Sequence, residues 1–283
     1  MANIAIITDS TAYLPEDVIE EYDIHVLPLK LHWKGKTYLD GVEIRPADFY
    51  SQLNNGAPIP TTSQPAMSEF LHLYEELAPD CDGILVPLIS SGISGTVSSA
   101  QAAREEFDKV PVEVVDSRIT SGGLALVVMA AGRAIQAGAD LSEAARVARS
   151  VSERIRAYFV VDTLEYLHKG GRIGGASRYL GTALRIKPIL TFTEEGTIDA
   201  LERIRTKRKA IQRLLELVQE EADGRPIHAG VVQAYAEKAL RELQSQLEKC
   251  VSCQELHQYE LSPVIGAHVG PGTLGITFYV EEG

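Results

Sequence analysis

Apolar runs that break off into hydroxyl-rich loops, each loop leading into a helix-period segment, constrain this chain most. Residues 3–8 (NIAIIT), 83–88 (GILVPL) and 112–117 (VEVVDS) are apolar enough to be strands buried on both faces. After the first come Asp9, Ser10 and Thr11, then Pro15 opening a helix with Glu16 and Asp17 in its first turn. After the second comes SSGISGTVSS (90–99), then the helix-forming residues 100–107. After the third, residues 119–136 read as one long, nearly all-apolar helix. Asp140 and Glu143 next form a capping box for a helix with Leu141, Ala145, Ala148, Val151 and Ile155 on one face. Between these units, residues 24–33 read as one strand and 34–41 as a turn or hairpin. Residues 59–77 read as a loop feeding a helix, with Ser63 or Gln64 near its N-cap and Pro65 in its first turn.

Strands alternating with helices predict an α/β fold with a mostly parallel sheet covered on both faces. Ligands of such sheets sit outside the carboxyl ends of the strands. Four strand-to-helix junctions are hydroxyl-rich there: residues 8–11, 61–63, 90–96 and 117–121. Hydroxyls cap helices, but two of the four junctions hold more than capping needs.

The pattern changes after residue 157. Residues 187–205 read as a hairpin turning at 194–197, and 227–235 and 272–280 as strands. Ile211, Leu214, Leu215 and Val218 mark one amphipathic helix; Ala236, Leu240, Leu243 and Leu247 mark another. A chain of 283 residues exceeds one typical core. Two domains are expected: 1–157 around the parallel sheet, and 158–283 as an α/β unit with a mixed or antiparallel sheet, the ligand lying between them.

Bulk properties remove several functions. A net charge of −12 argues against general binding to nucleic acid or anionic membranes. No apolar run reaches the roughly 18 residues of a membrane span. The first residues lack the basic start of a signal peptide, and three cysteines imply no disulfide framework. A cytoplasmic protein is expected.

The 90–96 junction is the strongest candidate site. Helix N-termini bind anions through free N–H groups, and Gly92 and Gly95 allow close approach to backbone. No Gly-Lys-Ser/Thr ending follows, so the loop offers neutral donors, suited to a carboxylate rather than to a triphosphate with metal. Ser94 as a nucleophile, with His268 and either Asp9 or Asp116, would need the fold to bring them together; the flanking residues are not a G-x-S-x-G elbow. Thr62 and Ser63 offer further hydroxyls. Arg172 lies between glycine pairs in HKGGRIGG, either a flexible connection or an exposed anion contact. His268 lies in a glycine- and proline-rich run, read as a loop, with a pKa suited to proton handling. Arg203, Arg205, Lys207 and Arg208 form a basic run in an acidic protein. If Thr206 caps the helix there, Lys207, Arg208 and Lys209 oppose its dipole, as a solvated face or a docking patch. Cys250, Cys253 and His257 are one ligand short of a closed zinc site and read as surface residues.

Together, ITDST, PTTSQPAMSEF, ISSGISGTVSSA, VVDSRITSGGLAL, LEYLHKGGRIGGAS, KPIL and IGAHVGPGTLGI resemble the DegV family of bacterial fatty-acid-binding proteins over nearly the whole chain. One departure is Ala66, where the family shows a small hydroxyl residue. The resemblance implies a long-chain fatty acid, such as palmitate, held between two domains. It implies that Thr62 and Ser94 bond the carboxylate, with Ser63, Gly95, Arg172 and His268 around it. It implies no catalytic residues, metal or cofactor, and a separate fatty acid kinase that converts the bound acid to an acyl phosphate for phospholipid synthesis. Leu124, Leu126, Val127, Val128, Met129 and Ile135 then become candidate tunnel walls or plain core. The basic run becomes a candidate surface for the kinase. The rival from another class is an α/β hydrolase or transferase acting on a small anion, with Ser94 as nucleophile or Arg172 as phosphate clamp.

Overall fold

The computed structural model describes residues 2–281, with side chains for all of these except 182–185. Up to residue 154 the elements are β1 (Ile4–Asp9), α1 (Glu16–Glu21), β2 (Ile24–Leu27), β3 (Lys30–Trp33), β4 (Lys36–Leu39), α2 (Pro46–Asn54), β5 (Thr61–Ser63), α3 (Met67–Leu77), β6 (Gly83–Leu88), α4 (Thr96–Glu106), β7 (Val112–Asp116), α5 (Gly122–Gln136) and α6 (Leu141–Arg154). The apolar runs form an all-parallel sheet in the order β2-β1-β6-β7. One face packs Ile7, Ile84 and Val86 against Phe70 and Tyr74 of α3 and Val97 and Ala100 of α4. The other packs Ile6, Leu85 and Val115 against α5 and α6.

The chain then enters a second sheet. Its elements are β8 (Arg156–Val160), α7 (Glu165–Lys169), β9 (Lys187–Phe192), β10 (Ile198–Ile204), α8 (Lys207–Ala222), β11 (Ile227–Gln233), α9 (Glu237–Cys250), β12 (Cys253–Glu260), α10 (Pro263–Val269) and β13 (Leu274–Val280). The sheet is mixed, in the order β10-β9-β8-β13-β11-β12, with only β11 and β12 parallel. Helices α8 and α9 bury Leu214, Val218, Leu243 and Leu247 on its back face.

Its front face has two covers. Helix α5 contacts β11, β12 and β13, and Ala157 and Tyr279 join the cluster that α5 and α6 form with the parallel sheet. Sheets on both sides explain why α5 is apolar all round rather than along one stripe. Phe49 and Tyr50 of α2, Leu31 and Trp33 of β3, and helix α10 form the second cover, against Phe159 and Val232.

Five expectations are corrected. Residues 24–33 are two strands, β2 and β3, parted at Pro28, which has no N–H for a continued ladder. Strand β3 belongs to a separate antiparallel sheet, β4-β3-β5. Residues 61–63 are thus edge strand β5 rather than loop, and Thr62 does not sit at a helix N-terminus. The N-cap of α3 is Ala66, not Ser63 or Gln64; with no side-chain acceptor there, Glu69 accepts from the Ala66 N–H at 2.7 Å. The helix read over 119–136 begins at Gly122, because Arg118 and Ser121 take φ of 55° and 54°, outside helical geometry. His268 lies in the last turn of α10 rather than in a loop.

The first junctions are held by buried carboxylate chemistry. The Asp9 carboxylate accepts from the N–H of Ile89 (2.7 Å) and Thr11 (3.0 Å) and from the Thr11 hydroxyl. Replacing it by alanine removes the acceptor of three buried donors, two of them backbone N–H groups that cannot turn elsewhere, at about 1–3 kcal/mol each. Asp9→Ala therefore lowers the unfolding free energy in urea titrations by about 3 kcal/mol; a loss under about 1 kcal/mol contradicts this role.

Candidate functional site

A cavity opens where the two covers of the front face part. It holds about 880 Å³ of space between its atoms, including the part open to solvent. Phe159, Val232 and Gly275 form its floor, Val264, Ile265 and Val269 of α10 one wall, and Phe192 and Ile198 of the β9–β10 hairpin another. Strand alternation aims Phe159 and Gly275, paired neighbours on β8 and β13, to the same side. Gly275 is required there: a Cβ would lie 2.7 Å from the Phe159 side chain.

Thr62, Ser63, Ser94, Arg172 and His268 all line this cavity. The Thr62 hydroxyl bonds His268 Nε2 at 2.8 Å. Arg172 donates from Nε to the Ile93 carbonyl (3.1 Å) and from Nη1 to Gly170 (2.8 Å), which pins the guanidinium beside the 90–96 loop. Three of the four glycines around Arg172 are packed: a Cβ on Gly170 would meet His268 Nδ1 at 2.2 Å, on Gly174 the Ile198 carbonyl at 2.1 Å and on Gly175 Asp199 at 2.3 Å, whereas Gly171 faces open space. Ser94 pairs its hydroxyl with Thr96 at 2.8 Å, at the start of α4, where Gly95 is the N-cap. A Cβ on Gly95 would lie 2.6 Å from the Gln64 side chain, so this glycine lets β5 and α4 bring Thr62 and Ser94 to one cavity. Ser63 lines the cavity, but His32 holds its hydroxyl at 2.8 Å.

The hairpin closes the same loop. The Ser90 hydroxyl donates to the Gly196 carbonyl at 2.8 Å, and a Cβ on Gly92 would collide with that turn. Asp116 accepts from the Ser91 N–H (3.1 Å) and the Arg118 N–H (2.9 Å). Asp9 and Asp116 thus anchor loops, His268 pairs with Thr62, and Ser94 pairs with Thr96. Among the described residues, no Ser–His–Asp relay assembles.

Sequence reasoning did not single out Gln64, Thr273 and Thr277, which also line the cavity; Thr120 and Ser121 line it too, and they belong to the hydroxyl-rich 117–121 junction that the sequence marked. Alternation in ITFYV, with Thr277 on the face opposite Ile276, was the available signal for Thr277.

The basic run divides. Lys207 pairs with Asp162 at 2.8 Å and donates to the Gly272 carbonyl at 2.6 Å, a structural role the sequence did not suggest. Thr206 does cap α8, accepting from the Lys209 N–H at 3.3 Å. The Arg203 guanidinium lies 5.7 Å from the Tyr179 ring centre. Arg205 and Arg208 are exposed. Cys250 ends α9, Cys253 starts β12, and His257 bonds Glu255 at 3.0 Å. Among the described residues no cluster is arranged to hold a metal, and no helix is long and apolar enough to cross a membrane.

Burial, and secondarily the charge of Arg172, pushes the His268 pKa down from 6.5 to about 4. At neutral pH the imidazole is uncharged, and Arg172 is the positive group beside Thr62 and Ser94. The unfolded chain binds this proton first as pH falls, so the neutral ring's stability contribution is complete above pH 6.5 and is lost towards pH 4. The stability difference between the protein and His268→Gln should therefore be flat above pH 6.5 and shrink below it; a difference constant with pH contradicts the buried neutral ring.

A family model described as "Uncharacterised protein, DegV family" matches residues 3–281. Protein DegV of Bacillus subtilis is 38% identical over 276 residues, covering 97% of this chain and 98% of that one. A DegV family protein of Thermus thermophilus, described by its fatty acid binding, superposes with a TM-score of 0.93 at 36% identity, covering 99% of this chain and all (100%) of that one. The B. subtilis DegV crystal structure, described as a fatty acid binding protein, gives 0.89 at 36% identity with coverage of 99% and 100%. With nearly its whole length matched by the family model and by these relatives, this chain belongs to the DegV family.

Proposed function

We propose that this protein binds a long-chain fatty acid in the cavity and presents its carboxylate to a separate kinase. The observation that carries the reading is a largely apolar cavity with Thr62, Ser94, Arg172 and His268 together in its lining. The two relatives described above as fatty acid binding support it. In this reading the carboxylate takes bonds from the Thr62 and Ser94 hydroxyls and charge from Arg172, while His268 orients Thr62 and Gly95 admits the head group. Ser63 acts through His32 rather than directly. Residues 1–157 and 158–283 are the two halves that close on the ligand.

The tail dominates affinity. Each buried methylene contributes about 0.8 kcal/mol, so a palmitoyl chain gains on the order of 10 kcal/mol gross, less the ordering cost. A bond to the charged head adds roughly 1.5–3 kcal/mol. In this reading the nucleotide site and phosphoryl transfer to the acid belong to the partner. Arg205 and Arg208, with Arg203 beside them, are the surface we assign to that partner; Lys207 is occupied at Asp162. The small-anion enzyme gains no support from Ser94, whose hydroxyl pairs with Thr96 at 2.8 Å, while His268 Nε2 is engaged by Thr62.

Palmitate binding, read by displacement of a fluorescent fatty acid, should weaken about tenfold or more in Thr62→Ala/Ser94→Ala, with the unfolding midpoint little changed. Equal affinity would remove these residues from the head-group site. Arg205→Glu/Arg208→Glu should cut acyl-phosphate formation with a fatty acid kinase and leave palmitate affinity intact; unchanged turnover would place the kinase elsewhere.

A further inference from the structure

The cavity holds a second polar group, apart from the one around Thr62. Thr120 and Ser121 line it just before α5, and both are more than nine-tenths buried, at 8% and 4% exposure. Among the described residues, neither hydroxyl has a hydrogen-bond partner. Thr277 lines the same part and donates to the Gly230 carbonyl at 3.3 Å, leaving its oxygen able to accept. The three residues are brought together by Gly122: a Cβ there would lie 2.7 Å from the Tyr259 ring and 3.0 Å from Thr277 Oγ1. The start of α5 therefore sits directly on the sheet beside Thr277.

Ser121 shows that this is more than leftover polarity. It is the N-cap of α5, where serine normally accepts from the first turn's N–H groups. Here it makes no cap bond and takes φ 54°, ψ −137°, a backbone state unfavourable for a residue with a Cβ. Strain, a forgone cap and an unpaired buried hydroxyl all meet at one residue that lines the cavity. Burying such a hydroxyl unpaired costs free energy. The positive end of the α5 dipole adds a preference for an oxygen acceptor at that point.

We infer that the tunnel selects an acyl chain oxygenated part-way along its length, a hydroxy or oxo fatty acid whose oxygen meets Thr120, Ser121 and Thr277. The position follows from β13. Thr273 lies under the last turn of α10, donating to the carbonyls of Val269 and Gly270, next to the turn that carries His268. Thr277 is four residues further along the strand, about 13 Å at the usual rise. That distance is spanned by roughly ten carbons of extended chain. This inference rests on the fatty-acid reading above.

The test compares stearate, α-hydroxystearate and a mid-chain hydroxystearate by displacement of the same fluorescent fatty acid. The mid-chain hydroxy acid should bind about three- to tenfold tighter than stearate, and the α-hydroxy acid should show no such gain. Thr120→Val, which keeps the shape, and Ser121→Gly, which keeps the positive φ, should each lower the ratio of mid-chain hydroxystearate to stearate affinity, and an unfolding midpoint close to that of the unsubstituted protein certifies folding. If stearate binds but the mid-chain hydroxy acid binds no better, the inference fails and the fatty-acid reading stands. A preference that survives both substitutions also overturns it. If none of the three acids binds, the fatty-acid reading falls and takes this inference with it.

Discussion

The Asp9 carboxylate, buried at the carboxyl end of β1, accepts from Ile89 at the end of β6 and from Thr11 on its own loop. Burial raises its pKa, and the hydrogen bonds oppose that rise. The bond to Ile89 sets where the 90–96 loop leaves the parallel sheet. A second tether, from Ser90 N–H to the Ile119 carbonyl at 2.8 Å, joins that loop to the one before α5. A third, from the Ser90 hydroxyl to Gly196, joins it to the hairpin of the other sheet. Ser94, Gly95, Thr120 and Ser121 all inherit their positions from these three tethers, of which the Asp9 carboxylate makes the first and Ser90 the other two.

Around that anchor the cavity is a gap between two packings. Helix α5, pressed between two sheets, and helix α10, pressed onto β3 and α2, cover neighbouring parts of the same front face. Small residues keep the gap open at Gly275 and keep its borders tight at Gly95, Gly122 and Gly170, each of which would clash if it carried a Cβ. The chemistry then divides by position. Apolar side chains along the gap reward a long hydrocarbon. A neutral imidazole and one guanidinium at Thr62 and Ser94 suit a single carboxylate better than a phosphate cluster, which recruits more positive charge.

Much of this was legible. The parallel sheet followed from apolar runs and helix periods, and the mixed sheet from the hairpin and the later strands. Loops 8–11 and 90–96 announced themselves through glycines and hydroxyls. His268 was expected in a loop because glycines dominated its surroundings, although Ser262 and Pro263 spelled a helix start: Ser262 caps α10 and Pro263 fills its first position. Residues 61–63 read as loop before a helix because pairing of β5 with β3 is a long-range contact that local patterns do not carry. The cavity floor was invisible for the same reason, since β8, β11 and β13 are brought together only by tertiary packing. The apolar stretch of α5 was a candidate tunnel wall; in the structure Leu124, Leu126, Val127, Val128 and Met129 are core, and the wall is the hydroxyl pair just before them.

The central claim is that a carboxylate lies at Thr62 and Ser94 with its hydrocarbon tail in the apolar gap. Mass spectrometry of what the purified protein releases on denaturation tests it most directly. A near-stoichiometric long-chain fatty acid is the result this structure predicts. Protein that releases none, and takes up none when fatty acid is added, would contradict it.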